Sequence, residues 1–481
     1  MRLSARGVPK FPRINQARRR QTLPPKTSIK KPETMRSEIA LVHSPTSSCN
    51  LESFPISSTF PTRAAVAPYH HDVMTRSWLP LRPLLAGLVL TLLQLAMAVG
   101  LLAPEGPASY RYSTLIQHDS YWFMNIVDHG YQTIVPPINH KVMEVSNVAF
   151  FPAYPAIAAL LRYGLNIDTS NALLITAQLA AWGFWTYFFL FCDRWSLSAA
   201  LQFCGALLIV AHPAAFFLIA GYSESLFLMA LLGFIYWSSA DGRAARVWAA
   251  LHGIVMSATR IVGIVCAAFP VVQSVFRKGW NGLREPLAWF REYASAIGLM
   301  FAATLGALSF FIYCQLRWGH WDIYMLTQAA GWGITPDYLA VLKPSSYRWL
   351  APALNNPTEA SQMSMTLGAL LFVAIVLCEL LPAIRRRTGR ATRAGIYFCA
   401  AVIYYVSVSG VACVDMESML RYEFCVHALI VLALLNFLGQ VRMPPVFVRA
   451  FGMAAVALLS AAGLSVQGWY VWNFTRGNWV A

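Results

Sequence analysis

Beyond Trp78 the chain is a succession of apolar runs of about twenty residues, parted by short polar stretches. Each run is long enough to cross a hydrocarbon core of about 30 Å as a helix. The alternating strands of about ten residues that a membrane β-barrel requires do not fit the pattern. An all-α polytopic membrane protein is therefore predicted. The runs fall at 81–103, 170–192, 197–214, 222–240, 246–260, 261–276, 293–316, 361–384, 394–412, 420–440 and 446–470, which makes about eleven spans. The pair 246–276 reads as a tight hairpin turning at Thr259–Gly263.

Charge fixes the threading. Arg76 and Arg82 flank the start of the first run, so the positive-inside rule places the amino terminus in the cytoplasm. If 150–165 crossed the membrane, Arg243 and Arg246 would fall outside. If it lies in the interface, the basic loops around Arg194, Arg243, Arg277–Arg291, Arg385–Arg393 and Arg442–Arg449 all become cytoplasmic. The second threading satisfies the rule everywhere, and 150–165 is read as a juxtamembrane helix in the first outer loop. The long loops 104–148 and 317–360 and the end of the chain from Asn473 then lie outside. No internal repeat is apparent, which counts mildly against many transporter folds.

Composition changes the picture at one end only. Hydrophobic residues make up 57% of the 481 and charged residues 12%, far from the balance of soluble domains. The net charge of +16 would suggest nucleic acid, but residues 1–78 hold 13 Lys/Arg against 4 Asp/Glu and so supply +9 of it. The remaining +7 lies mainly in loops as orientation signals, and nucleic acid is set aside. Rich in Pro, Ser, Arg and Lys, residues 1–78 read as a disordered basic tail ahead of a membrane domain at 79–481. An organelle transit peptide is one reading of that tail; a true start at Met74 is the favoured one. The nine cysteines are scattered without pairing or Cys-x-x-Cys spacing, so neither a disulfide framework nor a metal site is indicated.

Polar groups in apolar surroundings are costly and tend to be functional. Under this threading they converge on the outer face. The first loop carries His118-Asp119-Ser120 and Asp128-His129-Gly130-Tyr131. The third span ends at His212-Pro213, the next begins Gly221-Tyr222-Ser223-Glu224-Ser225, and Thr259-Arg260 sits at the hairpin tip. Asp415, Glu417, Ser418, Arg421 and Tyr422 mark the last re-entry. Carboxylates and arginines at an apolar rim suit a lipid-linked phosphosugar: arginine holds the phosphate, and a carboxylate deprotonates the attacking hydroxyl. Duller readings stand beside these. Asp119 and Glu224 are also good helix caps, and Arg260 and Arg421 can snorkel to headgroups. His129 and His212 lack partners at metal spacing and read as structural hydrogen-bonders. Trp332, Trp469, Trp472 and Trp479 read as an interfacial girdle.

Taken together these stretches resemble the PIG-V-like mannosyltransferases, a branch of the GT-C membrane glycosyltransferases. The resemblance runs from about Asp119 to the end of the chain. It rests on Asp119 through Tyr131, Ala149-Phe150-Phe151-Pro152-Ala153-Tyr154-Pro155, His212-Pro213-Ala214-Ala215-Phe216-Phe217, Tyr222-Ser223-Glu224-Ser225-Leu226-Phe227, Thr259-Arg260-Ile261-Val262-Gly263 and Ser418-Met419-Leu420-Arg421-Tyr422. The Tyr-Ser-Glu-Ser-Leu-Phe run is the most specific. His118 departs from the family, which usually has Trp before the loop acid. The resemblance implies a GT-C bundle that transfers mannose from a polyprenyl-phosphate (dolichyl-phosphate) donor to a lipid-linked acceptor, with inversion and without cofactor or metal. It implies Asp119 as catalytic base. Arg260 and Arg421 would bind the donor phosphate and Glu224 would line the acceptor side. Tyr222, Ser223, His118, His129, Tyr131 and Tyr422 would add substrate contacts. The eukaryotic namesake adds the second mannose to the glycosylphosphatidylinositol precursor. From Met74 onward the compact chain looks more like the bacterial relatives, which implies a bacterial plasma membrane, or the endoplasmic reticulum in a eukaryote. Two rivals remain: a transporter or flippase for a lipid-linked substrate, and a GT-C enzyme using another sugar.

Overall fold

The computed structural model describes residues 81–133, 146–278, 286–349, 356–380, 389–416, 418–440 and 446–480. The basic tail, Met74 and Glu417 lie outside the described residues. Among the described residues sixteen α-helices follow one another: α1 Leu81–Leu95 (continued by a π-turn at Ala96–Leu102), α2 Ala108–Ser113, α3 Asp119–His129, α4 Ala153–Leu165, α5 Thr169–Arg194, α6 Ala199–Val210, α7 Glu224–Ser238 and α8 Arg243–Thr259. The remainder are α9 Gly263–Cys266, α10 Phe269–Lys278, α11 Pro286–Trp318, α12 Ile323–Trp332, α13 Pro357–Leu380, α14 Arg390–Val411, α15 Met419–Leu438 and α16 Val446–Phe474. No strand occurs among the described residues.

Among the described residues seven stretches are long and apolar enough to cross a membrane: Leu81–Leu102, Thr169–Arg194, Tyr293–Trp318, Thr358–Leu377, Arg390–Val414, Met419–Leu438 and Arg449–Phe474. Three shorter apolar helices, Ala199–Val210, Glu224–Ser238 and Gly263–Arg277, stand where further spans are expected. Against about eleven expected spans, seven reach spanning length; these three and α8, with 17 residues, fall short of it. The chain is an all-α polytopic membrane protein.

Helix α4 has 13 residues, about 20 Å, too short to cross. Tyr154 on its inner face is buried and donates to the carbonyl of Leu173 at 2.9 Å. Its outer face leaves Leu160, Tyr163 and Leu165 exposed, as a helix lying in an interface requires.

Burial orders the bundle. Of α15, 83% of the spanning window is buried, against 11% for α16, so α15 is central and α16 peripheral. On α5 the wholly buried Phe184, Trp185, Phe188 and Phe191 fill the core, and Asp168 caps its start by accepting from the Asn171 amide at 3.1 Å. Where α8 meets α11 the backbones nearly touch: a Cβ on Gly306 would lie 2.0 Å from the Ile254 carbonyl oxygen. Small residues at such crossings give close packing where hydrophobic driving force is lacking.

Candidate functional site

Four charged side chains from four separate segments meet at one end of the bundle. Asp119 is the first residue of α3, but its carboxylate turns away from the helix and Oδ2 accepts from Nη1 of Arg421 at 2.7 Å, a pair 302 positions apart in sequence. Arg421, in the first turn of α15, also brings Nε to 3.2 Å from Oε1 of Glu224. Glu224 opens α7 and is wholly buried. The same oxygen accepts from Arg260, the extended residue that ends α8. The order is thus carboxylate, guanidinium, carboxylate, guanidinium, formally neutral. Oε2 of Glu224 is buried without a hydrogen-bond partner, as are the hydroxyls of Ser225 and Ser120 beside it. A built set of donors and acceptors that leaves buried polar atoms unmatched has the character of a binding site.

Local structure explains how the groups are delivered. Asp415, Met416 and Ser418 all have positive φ (53°, 60° and 65°), so three of the residues leading into α15 are left-handed. Non-glycine residues hold that region only when the surroundings impose it, commonly at functional sites. Ser418 adds a contact of its own, accepting through Oγ from Nη2 of Arg421 at 3.4 Å. Across the site, Gly221 donates its amide to the Leu115 carbonyl at 3.1 Å. A Cβ there would fall 2.5 Å from Cδ1 of Ile116 and 2.9 Å from Oγ of Ser120. Only glycine lets the loop before Glu224 approach the turn before Asp119 so closely.

The aromatic wall comes from the same segments. The guanidinium of Arg421 lies 5.1 Å from the Tyr222 ring and 5.3 Å from Tyr422; that of Arg260 lies 5.3 Å from Tyr422 and 5.9 Å from Phe227. Such cation–π contacts keep desolvated arginines charged and in place. Ser223 is buried at the start of α7, and Phe227 donates its amide to the Ser223 carbonyl at 3.0 Å. His118 contacts Asn478, Trp479 and Phe474 near the end of the chain. Burial holds its imidazole below the ordinary value, the Arg421 charge adding to this while the Asn478 bond and Asp119 oppose it.

Two of the expected contact residues stand elsewhere. His129 is exposed at the far end of α3, ten residues or about 15 Å along the helix from Asp119. Tyr131 donates to the Phe150 carbonyl at 2.7 Å and packs on Phe310 and Tyr313, lining a cleft of about 390 Å³ between α3, α4 and α11. Asp128 is bound by Arg162 and Thr169 and ties α3 to α4 and α5. His212 accepts from the Ala214 amide at 3.2 Å and packs against Phe424 and His427, as a structural hydrogen-bonder would.

Trp332, at the end of α12, packs edge-on against Trp122 and Phe150, and Trp479 packs edge-on against His118; both stay half-buried. Contrary to the expectation from the sequence, the buried charges do not all gather at one end of the bundle. Arg393 is wholly buried with Glu379 at 2.5 Å and Asn436 at 3.0 Å. Asn436 lies fifteen residues along α15 from Arg421, about 22 Å. This second network joins α13, α14 and α15 at the opposite end of the bundle.

Nothing in the sequence pointed to Glu423, two residues beyond Arg421 on the other side of α15. It packs on α13, where a Cβ on Gly368 would sit 2.2 Å from Oε1, and its Oε2 has no hydrogen-bond partner.

No family model and no curated protein matches the sequence. Among solved structures, the archaeal oligosaccharyltransferase AglB from Archaeoglobus fulgidus, in complex with an inhibitory peptide and a dolichol-phosphate, is similar at a TM-score of 0.44 and 12% identity over 82% of this chain. The A. fulgidus oligosaccharyltransferase tethered to an acceptor peptide containing the NVT sequon is similar at 0.42 and 14%, again over 82% of this chain. The chain spans 56% of the length of each. Likeness at this level bears on neither the chemistry nor the substrates of the site.

Proposed function

We propose that this protein is a membrane glycosyltransferase of the GT-C kind that moves a sugar, mannose by its motifs, from a polyprenyl-phosphate donor to a lipid-linked hydroxyl on the non-cytoplasmic face. The observation that carries the reading is the pairing of Asp119 with Arg421, backed by Arg260 through the shared Glu224. A base and an anion clamp within one hydrogen bond of each other are what transfer from a phosphate leaving group needs.

In this scheme Asp119 takes the proton of the acceptor hydroxyl as its oxygen bonds to the anomeric carbon. The bond from that carbon to the phosphate oxygen breaks, and the electron pair stays on the phosphate. The phosphate gains one negative charge while Asp119 loses one. Arg421, which touches Asp119 in the unliganded site, is then free to answer the phosphate. Arg260 supplies a second guanidinium, and Tyr222 and Tyr422 line the path beside the arginines. Helix α12, bonded through Gln328 to the Ala149 carbonyl at 3.3 Å, would cover the site from outside.

The test is transfer itself. Purified protein in lipid vesicles is given radiolabelled polyprenyl-phosphate mannose and a total lipid extract. Label appearing in a new lipid band supports the reading; transfer only from another polyprenyl-phosphate sugar changes the sugar and keeps the class. No transfer from any donor overturns it in favour of a transporter, a rival that the second buried charge network, around Arg393, keeps in view.

A further inference from the structure

His118 sits in a conformation that its own chemistry does not favour. With φ 49° and ψ −110° it occupies the second position of the turn Gln117–Ser120, closed by the Ser120 amide donating to the Gln117 carbonyl at 3.0 Å. These angles are those of a type II′ turn, where glycine is preferred at that position. His118 makes no side-chain cap bond; α3 holds it only through its carbonyl, which accepts from the Tyr121 amide at 3.1 Å. The contacts that do come from the other end of the chain. Nε2 meets the Asn478 carbonyl at 3.2 Å, and a carbonyl can only accept, so Nε2 carries the proton. Trp479 lies edge-on to the imidazole at 4.9 Å, and Phe474 lies 5.9 Å away.

The segment that supplies these contacts is itself built to turn back. Gly477 has φ 82°, and Gly477 and Asn478 donate to the carbonyls of Phe474 and Asn473. Arg476 donates to the carbonyl of Leu102 at 3.2 Å, and Val480 is buried. Phe474 reaches past His118 to Phe216, Phe217 and Tyr222, at 5.2, 5.6 and 5.9 Å. It therefore touches both the turn that presents Asp119 and the loop that presents Glu224.

We infer that residues 474–480 form a hook that positions Asp119, by imposing the glycine-like backbone of His118 on the turn that aims the carboxylate at Arg421. The hook touches no reacting atom; Trp479 is a positioning residue. The kinetic part of this inference rests on the glycosyltransferase reading, and the structural part does not.

A double-mutant cycle separates them, read by amide hydrogen exchange of Ser120 and Tyr121 and by transfer kinetics in the full chain. Trp479→Ala is expected to raise exchange in the turn and lower kcat about tenfold with a smaller change in donor KM, and Trp479→Phe to restore both. His118→Gly supplies a residue that adopts the turn unaided. In that background Trp479→Ala is expected to change kcat less than about twofold. Equal losses in both backgrounds, or an unchanged exchange rate in Trp479→Ala, overturn the hook. If wild type transfers no sugar, the glycosyltransferase reading falls, while the exchange data in the two backgrounds still decide the coupling.

Discussion

Replacing Asp119 with asparagine keeps the volume and leaves an oxygen that accepts from Arg421, so the 2.7 Å contact persists as a charged–neutral hydrogen bond. The cost to folding is correspondingly small, about 1–2 kcal/mol, because only the charge assistance is lost. Asp119 keeps 22% of its side chain accessible, which screens the pair further. Catalysis loses its base, and the expected fall in kcat is about 10²–10⁴-fold. Donor binding moves the other way. With Asp119 neutral, Arg260 and Arg421 face only Glu224, and the cluster carries one net positive charge. At an effective dielectric near 20 and about 6 Å, one charge is worth roughly 3 kcal/mol to an approaching phosphate. Partial exposure brings this to about 1–2 kcal/mol, or roughly 5–30-fold tighter binding. Steady-state transfer in vesicles gives kcat, and displacement of a labelled donor gives the affinity. A kcat within about fivefold of wild type would refute the assignment of the base. Loss of donor binding along with kcat would refute the charge argument and leave Asp119 a structural partner of Arg421.

Glu224→Gln removes the fully buried carboxylate that both arginines share, and is expected to cost about 3–5 kcal/mol of stability, read as a fall in thermal unfolding temperature in detergent. An unfolding temperature unchanged from wild type would contradict the shared pairing. Arg260→Lys keeps the charge and loses the planar fork; donor KM is expected to rise about tenfold with kcat little altered, and a selective loss of kcat would place Arg260 at the leaving oxygen instead. His118, its pKa depressed by burial, resists protonation in the folded protein. The stability this contributes is complete above the unfolded value of about 6.5 and is lost as pH falls through the folded value. A His118→Gln variant should therefore lose stability less steeply than wild type between about pH 7 and pH 5, and parallel curves would show that the imidazole does not titrate there.

How much of this was legible in the sequence follows from which interactions are local. Apolar runs of about twenty residues mark an all-helical membrane chain, because in hydrocarbon only helices and closed barrels satisfy the backbone and the strand alternation of a barrel is missing; seven of the eleven runs carry helices of spanning length. The positive-inside rule was enough to lay 150–165 in the interface, and α4 is too short to do otherwise. Asp119, Glu224, Arg260 and Arg421 were legible as costly polar groups near span ends. That Glu224 stands between two arginines, one of which also holds Asp119, was not: those contacts close over 36, 197 and 302 positions, and one-dimensional patterning carries no distance between helices. His129 shows the converse, since ten helical residues carry it away from the acid with which it shares a motif. Trp479 reads as an interfacial residue from its place near a span end, and that reading says nothing of its partner. Only the backward turn at Gly477 sets it against His118, so its partner was decided by tertiary packing. The sequence by itself determined the class of the fold, where its apolar helices run and which polar groups are too costly to be incidental, but not how long each helix is. The tertiary structure decided which of those groups share an oxygen, because that depends on the angle and depth at which packed helices cross.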